Sequence, residues 1–264
     1  SIADRALVDE AVAGFRPTHV VHGAAAYKNP ADWREDTATN VTGTINLIES
    51  SRAAGVRRFI NLQTALCYGR PERVPIPVEH PTRPFTSYGI SKTAGEAYVA
   101  MSGLAWVSLR LANISGPRLA IGPIPTFYKR LKAGQKCFCT DAVRDFLDVS
   151  DFIRVIEIAM RDDAPTGLFN VSTGEGRSIR EVFDATAAHL AIVPTEPAPV
   201  VPPAADDVAA VVLDPGKTRA LMGWEAQIGF AETMSRMLRW YDAHGVSDVF
   251  SHLAAPAADP SRNR

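Results

Sequence analysis

The chain has 264 residues, 46% apolar and 22% charged, with 28 Lys plus Arg against 29 Asp plus Glu. That composition excludes disorder and collagen-like structure, and a formal net charge of −1 offers no basic footprint for nucleic acid or an anionic membrane. No apolar run reaches the ~18 residues of a membrane span, and the opening SIADRALVDEAVAGF lacks the basic-then-apolar order of a signal peptide. In chain order, periodicity predicts a helix over 3–14 and a short buried strand at Thr18–Gly23. A long helix over Ala31–Gly55, closed by the glycine, leads to strand Arg58–Thr64. After a Pro-rich loop at 70–86 come helix Ser87–Ser102 and strand Ala105–Leu111. This β-α-β-α-β order implies parallel strands with right-handed crossovers, hence a three-layer α/β sheet.

Shorter units fill the second half. A helix is predicted at Pro123–Ala133, strands around Cys137 and Phe146, a helix at 150–161 and a strand at Leu168–Val171. Ser178 followed by Glu181 forms a capping box that opens a helix to Leu190. The run VPTEPAPVVPPAADDV is too proline-rich for a helix and reads as an extended loop with an edge strand. Helix Phe230–His244 closes the fold, and the tail AAPAADPSRNR is expected to fray. The change of texture divides the chain into a parallel-sheet domain over 1–120 and a smaller α+β lobe over 121–264, with segments around 144–171 returning to the sheet. Cys67, Cys137 and Cys139 are too few for a disulfide framework and lack neighbours for a metal site, so they read as small hydrophobes in a cytoplasmic protein.

The sharpest chemical candidate is Tyr88-Gly-Ile-Ser-Lys92, whose end residues share one helix face. An ammonium beside a phenol pulls its pKa below ~10, and bringing it near 7 takes about 4 kcal/mol, one charge contact at ~4 Å with an effective dielectric near 20. Spacing alone does not decide: Tyr128-Lys-Arg-Leu-Lys132 matches the same pattern and reads as an exposed helix face. Thr64 separates them, because it ends the strand before Tyr88, where open α/β sheets place their sites.

THVVHGAAA, Asn40-Val-Thr-Gly-Thr44, QTALCYGRP, YGISK, LRLANISGPR, Arg144-Asp145-Phe146, Val212-Leu-Asp-Pro-Gly-Lys217 and Gly223-Trp224 occur in that order. Together they resemble the extended short-chain dehydrogenase/reductase family, in its nucleotide-sugar epimerase/dehydratase branch, and are similar to epimerases of bacterial O-antigen clusters. The resemblance implies a Rossmann-like sheet with a substrate-binding lobe, NAD as cofactor, a nucleotide-diphosphate sugar (UDP-linked) as substrate, and a homodimer at full length. It implies Thr64, Tyr88 and Lys92 as the catalytic triad, with Lys92 holding the ribose hydroxyls. Ala24 and Ala25 would lie near the adenosine half of NAD, Asn40 near the cofactor and Ala112 beside the nicotinamide. Asn113 and Arg144 would face the diphosphate, and Asp207 the uridine ribose. Simpler readings stand beside these: Asn40 as a turn cap, Asn113 as a turn residue, Arg144 with Asp145 as an ion pair, His22 as a core histidine, and Phe138, Phe146 and Phe152 as core.

Nothing like the G-x-x-G-x-x-G turn that receives the pyrophosphate precedes Thr18. The expectation is an N-terminally truncated sheet, with little NAD binding until ~60 residues, about two β-α pairs, are restored. Dehydratases of this branch carry an Asp-Glu acid/base pair after the threonine, whereas Ala65 and Leu66 transfer no proton. Epimerisation through a transient 4-keto sugar therefore fits best. The alternatives are an NAD(P)-dependent ketoreductase or dehydratase, and an inactive fragment. Two departures bear on the substrate: Ala204 stands where relatives usually carry an arginine, leaving Arg118 or Lys129 as substitutes, and Gln63 and Cys67 replace Ser and Val.

Overall fold

The computed structural model describes residues 1–193, 196–204 and 207–250; the tail AAPAADPSRNR lies outside them. Helix α1 (Arg5–Phe15), capped by Asp4, precedes strand β1 (His19–His22). Helix α2 (Trp33–Asp36), a π-helical stretch over Thr37–Gly43 and α3 (Thr44–Ala53) occupy the span expected to be one α-helix. The wider π turn carries Asn40, and Gly95 on a neighbouring helix accommodates it: a Cβ there would stand 2.6 Å from the Asn40 carbonyl oxygen.

Strand β2 (Arg58–Thr64) leads through a 3₁₀ turn, Ala65–Tyr68, and a long loop to α4 (Ser87–Ala100) and β3 (Trp106–Leu111). Then follow β4 (Asn113–Ser115), α5 (Pro123–Lys132), β5 (Cys139–Thr140), β6 (Val143–Arg144), β7 (Phe146–Asp148), α6 (Val149–Ala159) and β8 (Gly167–Val171). The chain continues through β9 (Arg177–Ser178), α7 (Ile179–His189), β10 (Val200–Val201), β11 (Ala210–Val211), α8 (Gly216–Met222) and α9 (Phe230–His244). The capping box between Ser178 and Glu181 forms as read from sequence.

The main sheet has the order β1-β2-β3-β8, all parallel, with Thr64 opposite Leu111 and Leu111 opposite Val171. Its interior is apolar because parallel strands are covered on both faces: Phe59, Ile60, Val107, Leu109, Phe169 and Val171 are all fully buried. Three smaller sheets, β4-β7, β11-β6-β9 and β10-β5, and two isolated bridges, Ile76–Leu213 and Ile121–Phe250, complete the pairing among the described residues. The proline-rich segment does supply strand β10, paired with Cys139 and Thr140.

A second core gathers α5, α7 and α9 around Ile124, Phe127, Phe183, Met237 and Tyr241, with Phe146 beneath them. Phe152 packs partly buried against the main-sheet core, and Phe138 is half-buried. Tyr128 belongs to the second core too, which corrects its reading as a residue of an exposed face. It is 3% exposed, and only its hydroxyl reaches the rim, donating to Asp242 at 2.8 Å and accepting from Lys132 at 3.2 Å. Cys67 and Cys139 are buried and all three thiols are free. Among the described residues no helix is long and apolar enough to cross a membrane.

Candidate active site

At the C-terminal ends of the parallel strands, Thr64 is the last residue of β2, and Tyr88 is the second residue of α4. The Thr86 hydroxyl caps α4 by accepting from the Gly89 N–H at 3.1 Å. A Cβ at Gly89 would stand 3.0 Å from the Leu66 carbonyl, so this glycine lets the helix start close against the strand end. Gln63 fixes the same junction: its amide donates to the Lys92 carbonyl at 2.9 Å and accepts from the Thr64 N–H at 2.8 Å.

The structure brings the Thr64 hydroxyl into the immediate surroundings of the Tyr88 phenol. Lys92 follows one turn later, 5% exposed, but its Nζ donates to the Leu62 carbonyl at 2.8 Å and is not directed at the phenol. The expected electrostatics are therefore reversed. Burial pushes the Tyr88 phenol up to about 12; Tyr27 and Asp36 push the same way, and the Thr64 contact opposes them. Burial drives the Lys92 ammonium down to about 8, against the pull of Glu96. No cation of the protein acidifies Tyr88 among the described residues.

His22 is a core histidine, as the simpler reading held, 2% exposed with Nε2 2.9 Å from the Thr44 hydroxyl. Burial first, and the nearby Lys92 second, lower its pKa to about 3. Its folded pKa lies below the ordinary value near 6.5, so the unfolded chain binds the extra proton between those limits and stability falls as pH drops through them. His22→Gln is expected to flatten this acid limb by more than about 1 kcal/mol, read as the difference between the two urea-unfolding profiles from pH 7 to 4.

Asn40 is 1% exposed, and its side chain is taken up by protein groups. Oδ1 accepts from the Ala26 N–H at 2.8 Å, and Nδ2 donates to the Ala26 carbonyl at 2.9 Å and the Ser91 hydroxyl at 3.0 Å. It thus clamps the loop after β1 to α4. That clamp holds Tyr27 edge-on to Tyr88, ring centroids 6.4 Å apart. Ala24 and Ala25 line a largely apolar cavity of about 650 Å³ with Val8, Val12 and Leu47. Ala112 is buried at the end of β3, its N–H bonded to the Val171 carbonyl.

The three residues expected at the diphosphate and ribose lie farther along the chain but connect. Arg144 pairs with Asp207 at 2.5 Å, both largely sheltered, and not with Asp145. The simple Arg144–Asp145 ion-pair reading is thereby corrected: Asp145 instead accepts from the Thr173 N–H and hydroxyl and the Gly174 N–H, while burial raises its carboxyl to about 6. Asn113 is exposed, its amide donating to the Asp145 carbonyl at 3.2 Å. The Ala204 carbonyl accepts from the Asp207 N–H at 2.9 Å. Arg118 and Lys129 are both exposed, Arg118 with a left-handed backbone (φ 70°). Sequence reasoning missed Tyr27 and the docking role of Gln63.

A sequence profile described as the NAD dependent epimerase/dehydratase family matches residues 1–172. The chain is 31% identical over 248 residues to the UDP-glucose 4-epimerase of Mycolicibacterium smegmatis, covering 87% of this chain and 78% of that one. Among solved structures it is similar to Bordetella bronchiseptica WbmG in complex with NAD and UDP, at 61% identity and a TM-score of 0.92, over 97% of this chain and 83% of that one. WbmH of the same organism, in complex with NAD+, is 39% identical with a TM-score of 0.86, over 93% and 82%. By profile, sequence and fold alike, the chain belongs to the NAD-dependent epimerase/dehydratase family.

Proposed function

We propose that this protein epimerises a UDP-linked sugar at C4 through a transient 4-keto intermediate, using NAD that is regenerated in each cycle. One observation carries the reading: Tyr88 at the start of α4 beside Thr64 at the C-terminal end of a parallel strand, with the buried Lys92 ammonium one turn beyond. The donor set suits the cofactor. Lys92 spends one of its three N–H groups on Leu62, leaving two in a buried position for ribose hydroxyls. When bound, the nicotinamide accepts and returns hydride and adds the positive charge that the protein does not place near Tyr88.

Tyr88 takes the proton from the C4 hydroxyl and, after the ketose has turned, gives it back to the C4 oxygen as the opposite face of the carbonyl carbon is reduced. Thr64 donates to the same oxygen and steadies the phenolate. Ala65 and Leu66 follow it, so the site has no acid/base pair there for eliminating water. Ala24 and Ala25 would border the adenosine, with Ala112 and the Asn40 clamp shaping the nicotinamide end. The Arg144 guanidinium would exchange Asp207 for diphosphate, joined by Asn113, and free Asp207 for the ribose hydroxyls. Free cysteines suit a cytoplasmic protein. Exposed Ile90 and Tyr98 on α4, with Met101 just after it, suit burial in a homodimer, and the motif resemblance favours a product used in O-antigen assembly.

The test is the cofactor stoichiometry. With UDP-glucose and UDP-N-acetylglucosamine as probes, trace NAD is expected to support many turnovers to the C4 epimer with no net NADH. One cofactor consumed per sugar would overturn epimerisation and assign a one-way ketoreductase.

A further inference from the structure

Two hydrogen bonds between β2 and α4 end on the same residue. The Leu62 carbonyl accepts from Lys92 Nζ at 2.8 Å, and the side-chain amide of the next residue, Gln63, donates to the Lys92 carbonyl at 2.9 Å. Head and main chain of one lysine are thereby held by adjacent residues of one strand. Gln63 Oε1 in turn accepts from the Thr64 N–H at 2.8 Å, beyond His22–Asn61 where β1 stops pairing with β2. The side chain is 2% exposed as part of Gln63, and both its polar atoms are bonded. We propose that Gln63 is a positioning residue for the reaction: its amide sets the main chains of Thr64 and Lys92 at one mutual distance, so that hydroxyl and ammonium meet their ligands without rearranging. This rests on the reading of Thr64, Tyr88 and Lys92 as the reacting group.

A free lysine side chain turns about four single bonds and loses most of that freedom when it is ordered. With both its ends tied to β2, Lys92 bears that loss on folding rather than on binding, as a site that orients its ligand requires. The neighbouring supports do not duplicate the strut. Glu96, one turn further on, ties α4 to β3 through Arg110 and Ser108. Asn40 ties α4 to the loop after β1 through Ser91. The Thr64 hydroxyl accepts from the Leu66 N–H at 3.2 Å, which orients the hydroxyl and not the helix. Among the described residues, Gln63 is the one whose side chain bonds to both Thr64 and Lys92. The chemistry calls for a carboxamide of this length, with a donor at one corner and an acceptor at the other.

Gln63→Met keeps the length and removes both bonds. In the NAD-loaded protein, with UDP-glucose and UDP-N-acetylglucosamine as probes, it is expected to lower kcat on the order of 10-fold through misplacement of the reacting groups. KM and the calorimetric affinity for UDP are expected to stay nearly unchanged. Thr186→Val, which deletes a buried hydroxyl bond within α7, is the control for lost stability and should leave kcat intact. The strut is also read without turnover: amide hydrogen exchange at Thr64, followed by NMR, should run on the order of 10-fold faster in Gln63→Met. Gln63→Asn, a methylene too short to span both partners, stands in if the methionine variant does not fold. A folded variant with kcat unmoved, or lowered no more than in Thr186→Val, would sink the proposal; so would unchanged exchange at Thr64. An active Tyr88→Phe would instead overturn the reacting group itself and leave the exchange result standing.

Discussion

Tyr88→Phe is expected to lower epimerase turnover by at least ~10²-fold, the usual scale for a lost general acid/base. Nucleotide affinity is expected to stay nearly unchanged, because the ring keeps its packing against Tyr27. The informative control is Tyr128→Phe. Both tyrosines head a Y-x-x-x-K pattern, yet the Tyr128 hydroxyl bridges Asp242 and Lys132 on the second core, and Asp242 is also met by His189 at 2.7 Å. Losing that hydroxyl should cost about 1–2 kcal/mol of stability, a few degrees in Tm, with kcat intact. Steady-state kinetics and thermal melts of the two variants therefore give opposite patterns. Equal activity of both would show that the wrong motif had been chosen.

The largest expected stability effect is at Glu96. Its carboxylate meets Arg110 Nη2 at 2.6 Å and Nε at 3.2 Å, and accepts from Ser108 at 2.7 Å, with Glu96 and Arg110 each about 5% exposed. Arg110 also donates to the Val78 carbonyl and lies over the Tyr68 ring. Glu96→Ala leaves a buried guanidinium without its counter-charge, so about 3–5 kcal/mol should be lost. Replacing both by well-packed apolar residues of similar volume should cost far less, since a buried pair contributes little beyond what its desolvation takes away. Urea midpoints of the single and double variants separate the two cases. Because Glu96 lies one turn beyond Lys92, the single variant also loosens the helix that carries Tyr88.

Much of the main sheet was legible because its strands are continuous apolar runs bounded by turns. Arg58–Thr64 and Phe230–His244 match their sequence readings residue for residue. The π-helical stretch was not legible, since seven residues are too few for a period to separate from that of an α-helix. Tyr128 was legible and misread. Ile124, Phe127, Tyr128 and Leu131 fall at i, i+3, i+4 and i+7, an inward stripe that the basic residues between them obscured. Tyr27 carried no local signal, because its significance lies in the approach to Tyr88 across the fold. The sign of the Tyr88 shift escaped for a similar reason: spacing puts Lys92 on the right face, but only coordinates show its ammonium turned to a strand carbonyl.

The backbone bonding of Asp145 has a mechanical consequence. At Asp145 the chain passes from one small sheet to another: its N–H is held by the Val211 carbonyl, and its own carbonyl receives both the backbone and the side-chain amide of Asn113. Arg144, immediately before it, leans on Asp207. Any anion that draws the guanidinium away from Asp207 therefore tugs on the plate to which Asn113 and, through it, the end of β3 are fastened. A displacement of Arg144 would thus reach the end of β3 through main-chain and amide bonds alone, with no moving lid required.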